Sequence, residues 1–217
     1  MGMTKELAEL TGIMSGDGCL SSKKQKYVVY ISGHKQDDRH YHDNTTKKLF
    51  MDIFGKEIKV QERSDENTLF IRFSDKKIFS ILHSIGLPIG KKYDYLKVPD
   101  CIIKNSILSF CFLRGLADTD GSIVFSKQHK KINYYPRIEI TSKSRNFLEE
   151  VLLILASNGF YGSISKRGIY CRLEIPGFKN LERWLNLIGF NNKKHIRKIE
   201  ARLGPITPST RLELVTT

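Results

Sequence analysis

The 217-residue chain is 40% apolar and 27% charged, a balance that suits a soluble globular protein and excludes a disordered one. Its 36 Lys and Arg against 23 Asp and Glu give a net charge of +13, and a folded chain this basic points to a polyanion, nucleic acid first. No apolar run approaches the roughly 20 residues of a membrane span, and the acidic start before Glu9 has no apolar stretch, so an intracellular (cytoplasmic or organellar), non-secreted protein with no membrane partner is expected.

The predicted elements come in two matching series. Lys5 to Gly16 sets Leu7, Leu10, Ile13 and Met14 at helical spacing. A strand over Tyr27 to Gly33 follows, then a helix over Asp37 to Phe54. Strands over Lys56 to Arg63 and Asn67 to Ser74 and a helix over Lys76 to Ile85 complete the first series. Beyond Pro99 the order returns. A helix spans Ile103 to Thr119, a strand Arg137 to Thr141 and a helix Ser144 to Asn158. Strands over Gly162 to Lys166 and Ile169 to Ile175 and a helix over Asn180 to Ile188 follow. A further strand is expected just after each first helix, so the fold class is α+β, two α-β-β-α-β-β-α units. The halves are 1–92 and 102–198, joined by a linker over 93–101 with Pro99 in it. Beyond the second half lies a tail, 199–217, of which Gly204 to Thr217, with two prolines, is left as loop or an appended strand.

The two series are copies. Leu10-Thr11-Gly12-Ile13-Met14-Ser15-Gly16-Asp17-Gly18 matches Leu113-Arg114-Gly115-Leu116-Ala117-Asp118-Thr119-Asp120-Gly121 at an offset of 103 residues. The same offset relates Ile85-Gly86-Leu87 to Ile188-Gly189-Phe190, and each is followed by a lysine pair, Lys91-Lys92 and Lys193-Lys194. Within the first helices, Gly12 and Gly16, and Gly115 and Thr119, are small residues one turn apart, which lets two helix backbones approach closely. Each helix ends in Asp-Gly, with the Gly expected to turn the chain out of the helix. The acid sits at the end where the helix dipole disfavours it, and two such helices side by side would bring Asp17 and Asp120 together. Two carboxylates at one point repel unless a cation or proton joins them.

Other chemistries find no support. Cys19, Cys101, Cys111 and Cys171 form no C-x-x-C pair and read as reduced thiols. His40 and His42 point apart on a helix. No P-loop, Gly-x-Ser-x-Gly or dinucleotide fingerprint is present.

The paired segments resemble the LAGLIDADG motifs of homing endonucleases, and the repeat order extends that resemblance from about Glu6 to Lys198. The length is similar to the family's single-chain, monomeric form. The resemblance implies that the motif helices join the halves and that each half spreads a four-stranded antiparallel sheet, the two forming a saddle over double-stranded DNA. It further implies that Asp17 and Asp120 bind divalent metal, magnesium or another ion such as manganese. The carbonyls of Gly16 and Thr119 are implied as further ligands. The sixth motif place is Asp118 in one copy and Ser15 in the other; it is not the metal ligand of the family. With no Cys at the start and no His-Asn at the end, self-splicing is not expected. A free-standing or intron-encoded enzyme acting in intron homing is.

Hydrolysing a phosphodiester needs an activated water and stabilisation of the leaving oxygen, which metal ions flanking the phosphate supply. The family also places a lysine and a polar residue near each site. By position the candidates are His34-Lys35 and Ser142-Lys143, with Lys91 or Lys92 and Lys193 or Lys194 as a second set; phosphate contact or surface charge is the alternative for each lysine. Strand alternation selects the base-reading face. It turns Lys59, Gln61, Arg63, Phe70 and Arg72 outward in the first half. In the second it turns out Arg137, Glu139, Thr141, Tyr170, Arg172 and Glu174, with Arg167 beside them. The basic loop Ser21 to Lys26, with Lys24 and Lys26, is expected to touch backbone phosphates. Because the halves differ, the target should be long and nearly palindromic. A second reading stays open, an intron RNA maturase or a non-catalytic DNA-binding protein on the same scaffold. It predicts binding that survives loss of both acids.

Overall fold

A computed structural model describes residues 2–23, 26–93 and 95–205. The expected Lys24 lies outside the described residues, as does the tail from 206 onward. Each half begins with a motif helix, α1 (Lys5–Gly16) in the first; Thr4 caps its start, the hydroxyl accepting from the Leu7 N–H at 3.2 Å. Strands β1 (Gly18–Lys23) and β2 (Lys26–His34) follow as a hairpin in which Lys23 pairs with Lys26. Ser21 to Lys23 and Lys26 are therefore strand residues, which corrects the expected six-residue loop. The tight pairing register leaves too few residues for one. A helical stretch follows as α2 (Arg39–Tyr41), a π-helical turn (His42–Thr46) and α3 (Lys47–Phe54). Then come β3 (Val60–Glu62), β4 (Thr68–Ser74) and α4 (Lys76–Ser84).

The second half opens with a short α5 (Asp100–Ile103), then its motif helix α6 (Ser106–Asp120), β5 (Gly121–Ser126), β6 (Tyr135–Ser142) and α7 (Arg145–Ser157). It continues through β7 (Ser163–Arg167), β8 (Tyr170–Pro176) and α8 (Phe178–Leu187) to α9 (Lys193–Leu203). Both sheets are four-stranded and antiparallel, ordered β1-β2-β4-β3 and β5-β6-β8-β7. That is one topology used twice, as the repeat implied. Two differences stand out. The expected strand over Lys56 to Arg63 is paired only over β3, although Ile58 is buried before it. And α9 was not expected, although Ile196, Ile199 and Leu203 stand at helical spacing within a stretch rich in Lys and Arg; it starts where the Asn192 side chain accepts from the Lys194 N–H at 3.2 Å.

The motif helices are the hinge of the packing. Every residue of α1 from Leu7 to Gly16 is buried, because α6 covers one side and the two halves close over the rest. Backbone meets backbone at two related points. A side chain on Gly12 would strike the Phe112 carbonyl, and one on Gly115 would strike the Glu9 carbonyl. Both partners obey the 103-residue offset, so the contact is self-complementary, as in a two-fold dimer. The Gly after each motif acid has a different reason from the expected turn. Gly121 has φ −91°, open to any residue. What forbids a larger residue is space, since a Cβ would lie 2.5 Å from Met14 Cα at Gly18 and 2.8 Å from Ala117 Cα at Gly121. The segment joining the halves is packed too: Leu96 and Val98 are buried, and the Val98 N–H donates to Glu150 Oε2 at 2.7 Å.

Candidate active site

Asp17 caps the C-terminal end of α1 and Asp120 is the last residue of α6. The close helix crossing sets these ends side by side: a Cβ on Gly16 would lie 3.0 Å from Thr119 Cβ and 3.3 Å from the Asp120 carboxyl carbon. Burial pushes the Asp17 carboxyl up to about 7, reinforced by the charges of Asp120 and Asp38 and opposed by Lys194 and Lys92. Burial likewise raises Asp120 to about 6, against the pull of Lys92 and Lys194. The pair is an electrostatic sink that a proton or cation fills.

The lysine pairs divide cleanly. Lys91 and Lys193 are exposed, whereas Lys92 and Lys194 turn inward. The Lys92 Nζ donates to the main-chain oxygens of Ser15 at 2.7 Å, Gly18 at 2.9 Å, Met14 at 3.3 Å and also Gly16. Its placement follows from the segment after α4, where the Gly90 N–H donates to the Leu20 carbonyl of β1 at 2.7 Å. Burial lowers the Lys92 pKa, while Asp120 and Asp17 hold it up. Lys194 instead pairs with Asp38 at 2.9 Å, across the junction of the halves. Asp38 is buried and also accepts from Asn192 Nδ2 at 2.7 Å and from the His34 N–H at 2.8 Å. Burial alone would raise its pKa, but the Lys194 charge and these hydrogen bonds hold it below the usual carboxylate value.

The acid at the sixth motif place has a structural task. Asp118 is fully buried and accepts from the N–H groups of Asn191 at 2.9 Å and Asn192 at 3.1 Å, which fixes the start of α9 and hence Lys194. Ser15, its counterpart, bonds its own helix at Thr11 O, 2.8 Å away. Glu9 adds a second tie between halves, pairing with Arg114 at 2.6 Å and accepting from Asn191 Nδ2 at 2.6 Å.

A cleft of about 310 Å³ opens beside the acids, lined among others by Gly16, Lys92, Asp120, Thr141, Ser142 and Lys143. Ser142 and Lys143, candidates from the sequence, thus share a cleft with Asp120. The Lys143 ammonium sits over the rings of Tyr93 at 4.5 Å and Tyr170 at 5.2 Å, a cation–π cradle. Their counterparts do not line this cleft. Lys35 pairs with Glu62 at 2.7 Å. The His34 ring lies 3.2 Å from the Asp37 carboxylate and 2.7 Å from Asn67 Nδ2. Both are held by side-chain partners of the first half. Tyr170 and Thr141, assigned to base reading, also line this cleft.

Of the metal-binding calls, the donor chemistry fits a hard divalent cation, which takes carboxylate and carbonyl oxygens. Among the described residues no group of three or more His, Cys, Asp or Glu could hold a metal, so two carboxylates need main-chain oxygens to complete a shell. The Thr119 hydroxyl is turned back to Gly115 O and Leu116 O at 3.0 Å each, so only its carbonyl is a candidate. The Gly16 carbonyl is among the four that Lys92 reaches.

The outer sheet faces differ. On the second, Glu139 lies directly opposite Glu174 in register. Arg172 reaches Glu139 at 3.2 Å, Arg137 reaches Glu174 at 3.3 Å and Glu139 at 3.9 Å, and Arg167 reaches Glu174 at 3.8 Å. Glu139 was expected to face DNA as a reader; only 6% exposed, it holds arginines in place instead. On the first sheet Phe70 stacks on Tyr30 at 6.1 Å, Arg63 pairs with Glu66 at 3.1 Å, and Lys26, Lys59, Gln61 and Arg72 are exposed. Tyr30 and Ser32 share this face because Tyr30 pairs with Arg72 and Ser32 with Phe70. Alternation about the buried Val29 and Ile31 would have exposed them in the sequence.

Two glycine-crossed helices ending in adjacent acids, each feeding a four-stranded sheet, define a two-motif LAGLIDADG fold. A family model described as a LAGLIDADG-like domain matches residues 108–189. The chain thus carries a LAGLIDADG-like domain in its second half, and its pseudo-symmetric first half makes it a single-chain, two-motif form of that fold. The structure of the homing endonuclease I-DmoI in complex with DNA and Mn superposes with a TM-score of 0.60 at 19% identity, over 85% of this chain and 96% of that one. Full-length DUF199/WhiA from Thermatoga maritima matches with a TM-score of 0.60 at 17% identity, over 100% of this chain and 67% of that one. At these identities the likeness is one of fold. Among curated proteins, a replication factor C small subunit from Methanocaldococcus jannaschii is 26% identical over 90% of this chain but only 10% of its own length. The tRNA-splicing ligase RtcB of Methanopyrus kandleri is 23% identical over 85% of this chain and 20% of its own length. The chain thus spans a tenth to a fifth of these relatives.

Proposed function

We propose that the chain is a site-specific, divalent-metal-dependent DNA endonuclease that hydrolyses both strands of a long, nearly palindromic duplex target, as in intron homing. The observation that carries this is the pair Asp17 and Asp120, set side by side at two helix ends that disfavour them, with raised pKa values and a cleft beside them. Such a pair costs stability and is explained by a ligand that needs it. Asp17, Asp120 and the Thr119 carbonyl would hold the ion, magnesium or manganese; when bound, it supplies charge stabilisation and a water activated for attack. Lys143 then stands at the cleft to neutralise phosphate charge, and Ser142 beside it to order water. Arg137, Arg172 and Arg167 would enter the major groove, held by Glu139 and Glu174 for bidentate contact with guanine. I-DmoI, one of the structural neighbours, was solved with DNA and Mn, which supports the choice of DNA and a divalent ion. The same stretch recurs as a small part of a replication factor and of a tRNA ligase, which supports a module independent of its surroundings. On this reading the protein works inside the cell as a monomer, one chain supplying both halves.

The deciding experiment is cleavage of a randomised duplex library with magnesium, run beside calcium and beside the Asp17→Asn, Asp120→Asn double variant. Magnesium-dependent ends at one long sequence, lost in the variant, are expected. Retention of DNA or structured RNA by both forms without any cut would replace this reading with that of a maturase or DNA-binding protein.

A further inference from the structure

The two helix ends treat a cation differently. At the end of α1 the Lys92 ammonium already donates to four main-chain oxygens, Gly16 among them. An ammonium is a compact point charge with three donors, the nearest a side chain comes to a small cation. At the end of α6 the corresponding lysine makes no such contact: Lys194 is bound to Asp38 at 2.9 Å, Asp118 fixes the turn that holds it there, and it acts on the two acids through its charge alone. Among the described residues no side chain donates to the Thr119 carbonyl.

We infer that Lys92 is the resident cation of the α1 end, so that the DNA-free chain binds a single divalent ion, at the α6 end, rather than two equivalent ones. This rests on the metal-dependent reading above and deepens it. A divalent ion drawn to the Gly16 carbonyl would have to displace an ammonium at contact distance. Unlike charges in a partly dry site attract, but two cations sharing one carbonyl repel strongly. The ammonium also attracts both carboxylates, Asp120 before Asp17, which offsets part of their repulsion before any ion arrives. The repeat in the sequence thus conceals two different charge assemblies, one built on a lysine and one on a metal ion.

The test counts bound manganese. Full-length chain, without DNA and at pH 8 where both carboxylates are ionised, is titrated with Mn²⁺ and the free ion is read by electron paramagnetic resonance. One tight ion in the wild type is expected, two in Lys92→Met, and one in Lys194→Met and in Lys92→Arg. Circular dichroism checks that each variant is folded. Two ions of equal affinity in the wild type, or an unchanged count in folded Lys92→Met, overturn the inference while leaving the metal-dependent reading intact. The wild-type count stands even where Lys92→Met does not fold. No bound ion in any form overturns the inference too, and the cleavage assay then decides the metal reading separately.

Discussion

In the first half, α1 ends under the Lys92 ammonium, and its sheet shows water an aromatic pair, Tyr30 and Phe70, flanked by exposed Lys26, Lys59 and Arg72. In the second half, α6 ends beside an open cleft, and its sheet shows a lattice of Arg137, Arg167 and Arg172 around Glu139 and Glu174. Topology and the helix crossing are shared almost residue for residue. Charge placement is not. A duplicated fold keeps what packing demands in both copies, because one glycine replaced at the crossing is felt by both helices. Side chains at the cleft and sheet faces are under no such packing demand, and there the copies differ.

The comparison breaks most completely at the acids. Asp17→Asn and Asp120→Asn are each expected to reduce cleavage of the selected target below detection, because both helix ends serve one site. If either single variant kept wild-type rates in a gel-based cleavage assay, the two ends would be independent. The shared crossing comes next. Gly12→Val and Gly115→Val each force a side chain into a carbonyl of the other helix and are expected to cost about 3 kcal/mol in urea unfolding. Equal losses are expected from the two-fold character of the contact; a loss at one position only would show that the symmetry is superficial.

Charge gives the next contrast. Lys194→Met leaves Asp38 buried without its ion pair and should cost about 3 kcal/mol. Lys35→Met, which removes an exposed pair with Glu62, should leave the melting temperature unchanged. The acids also make stability depend on pH. Raised pKa values mean that the folded chain holds protons that the unfolded chain has released between about pH 4 and pH 7. Stability contributed by these groups is therefore present below about pH 4 and lost as pH rises to 7. In chelated buffer at pH 8, Asp17→Asn should stabilise the fold by about 2 kcal/mol, and the gain should vanish near pH 4. A stability gain independent of pH would remove the carboxylate charge as its cause. The smallest effect is on sequence reading. Arg172→Ala should cost about 1 kcal/mol of preference at particular base pairs of one half-site. Binding that weakens equally on all sequences would assign Arg172 to phosphate instead.

The sequence carried the repeat, and the repeat carried the fold. The glycines at 12 and 115 stand at one offset because helices crossing at close range tolerate no side chain there, and the acids at 17 and 120 keep that offset at the ends of the same helices. Alternation in β4, β6 and β8 placed Leu69, Ile71, Ile138, Ile140, Leu173 and Ile175 in the core for the same reason: local period maps onto burial. What the sequence left undivided was each lysine pair and each outward face. Lys91 and Lys92 are identical in type, and only the path of the chain along β1 decides that the second reaches the helix end. Glu139 follows the same alternation as Arg137, yet its neighbours across the sheet come from a strand more than thirty residues away, Glu174 and Arg172 on β8. Only the structure shows it buried against those arginines. Periodicity is a property of neighbours along the chain and is legible there; electrostatic partnership joins residues far apart in sequence, and only the tertiary structure brings them together.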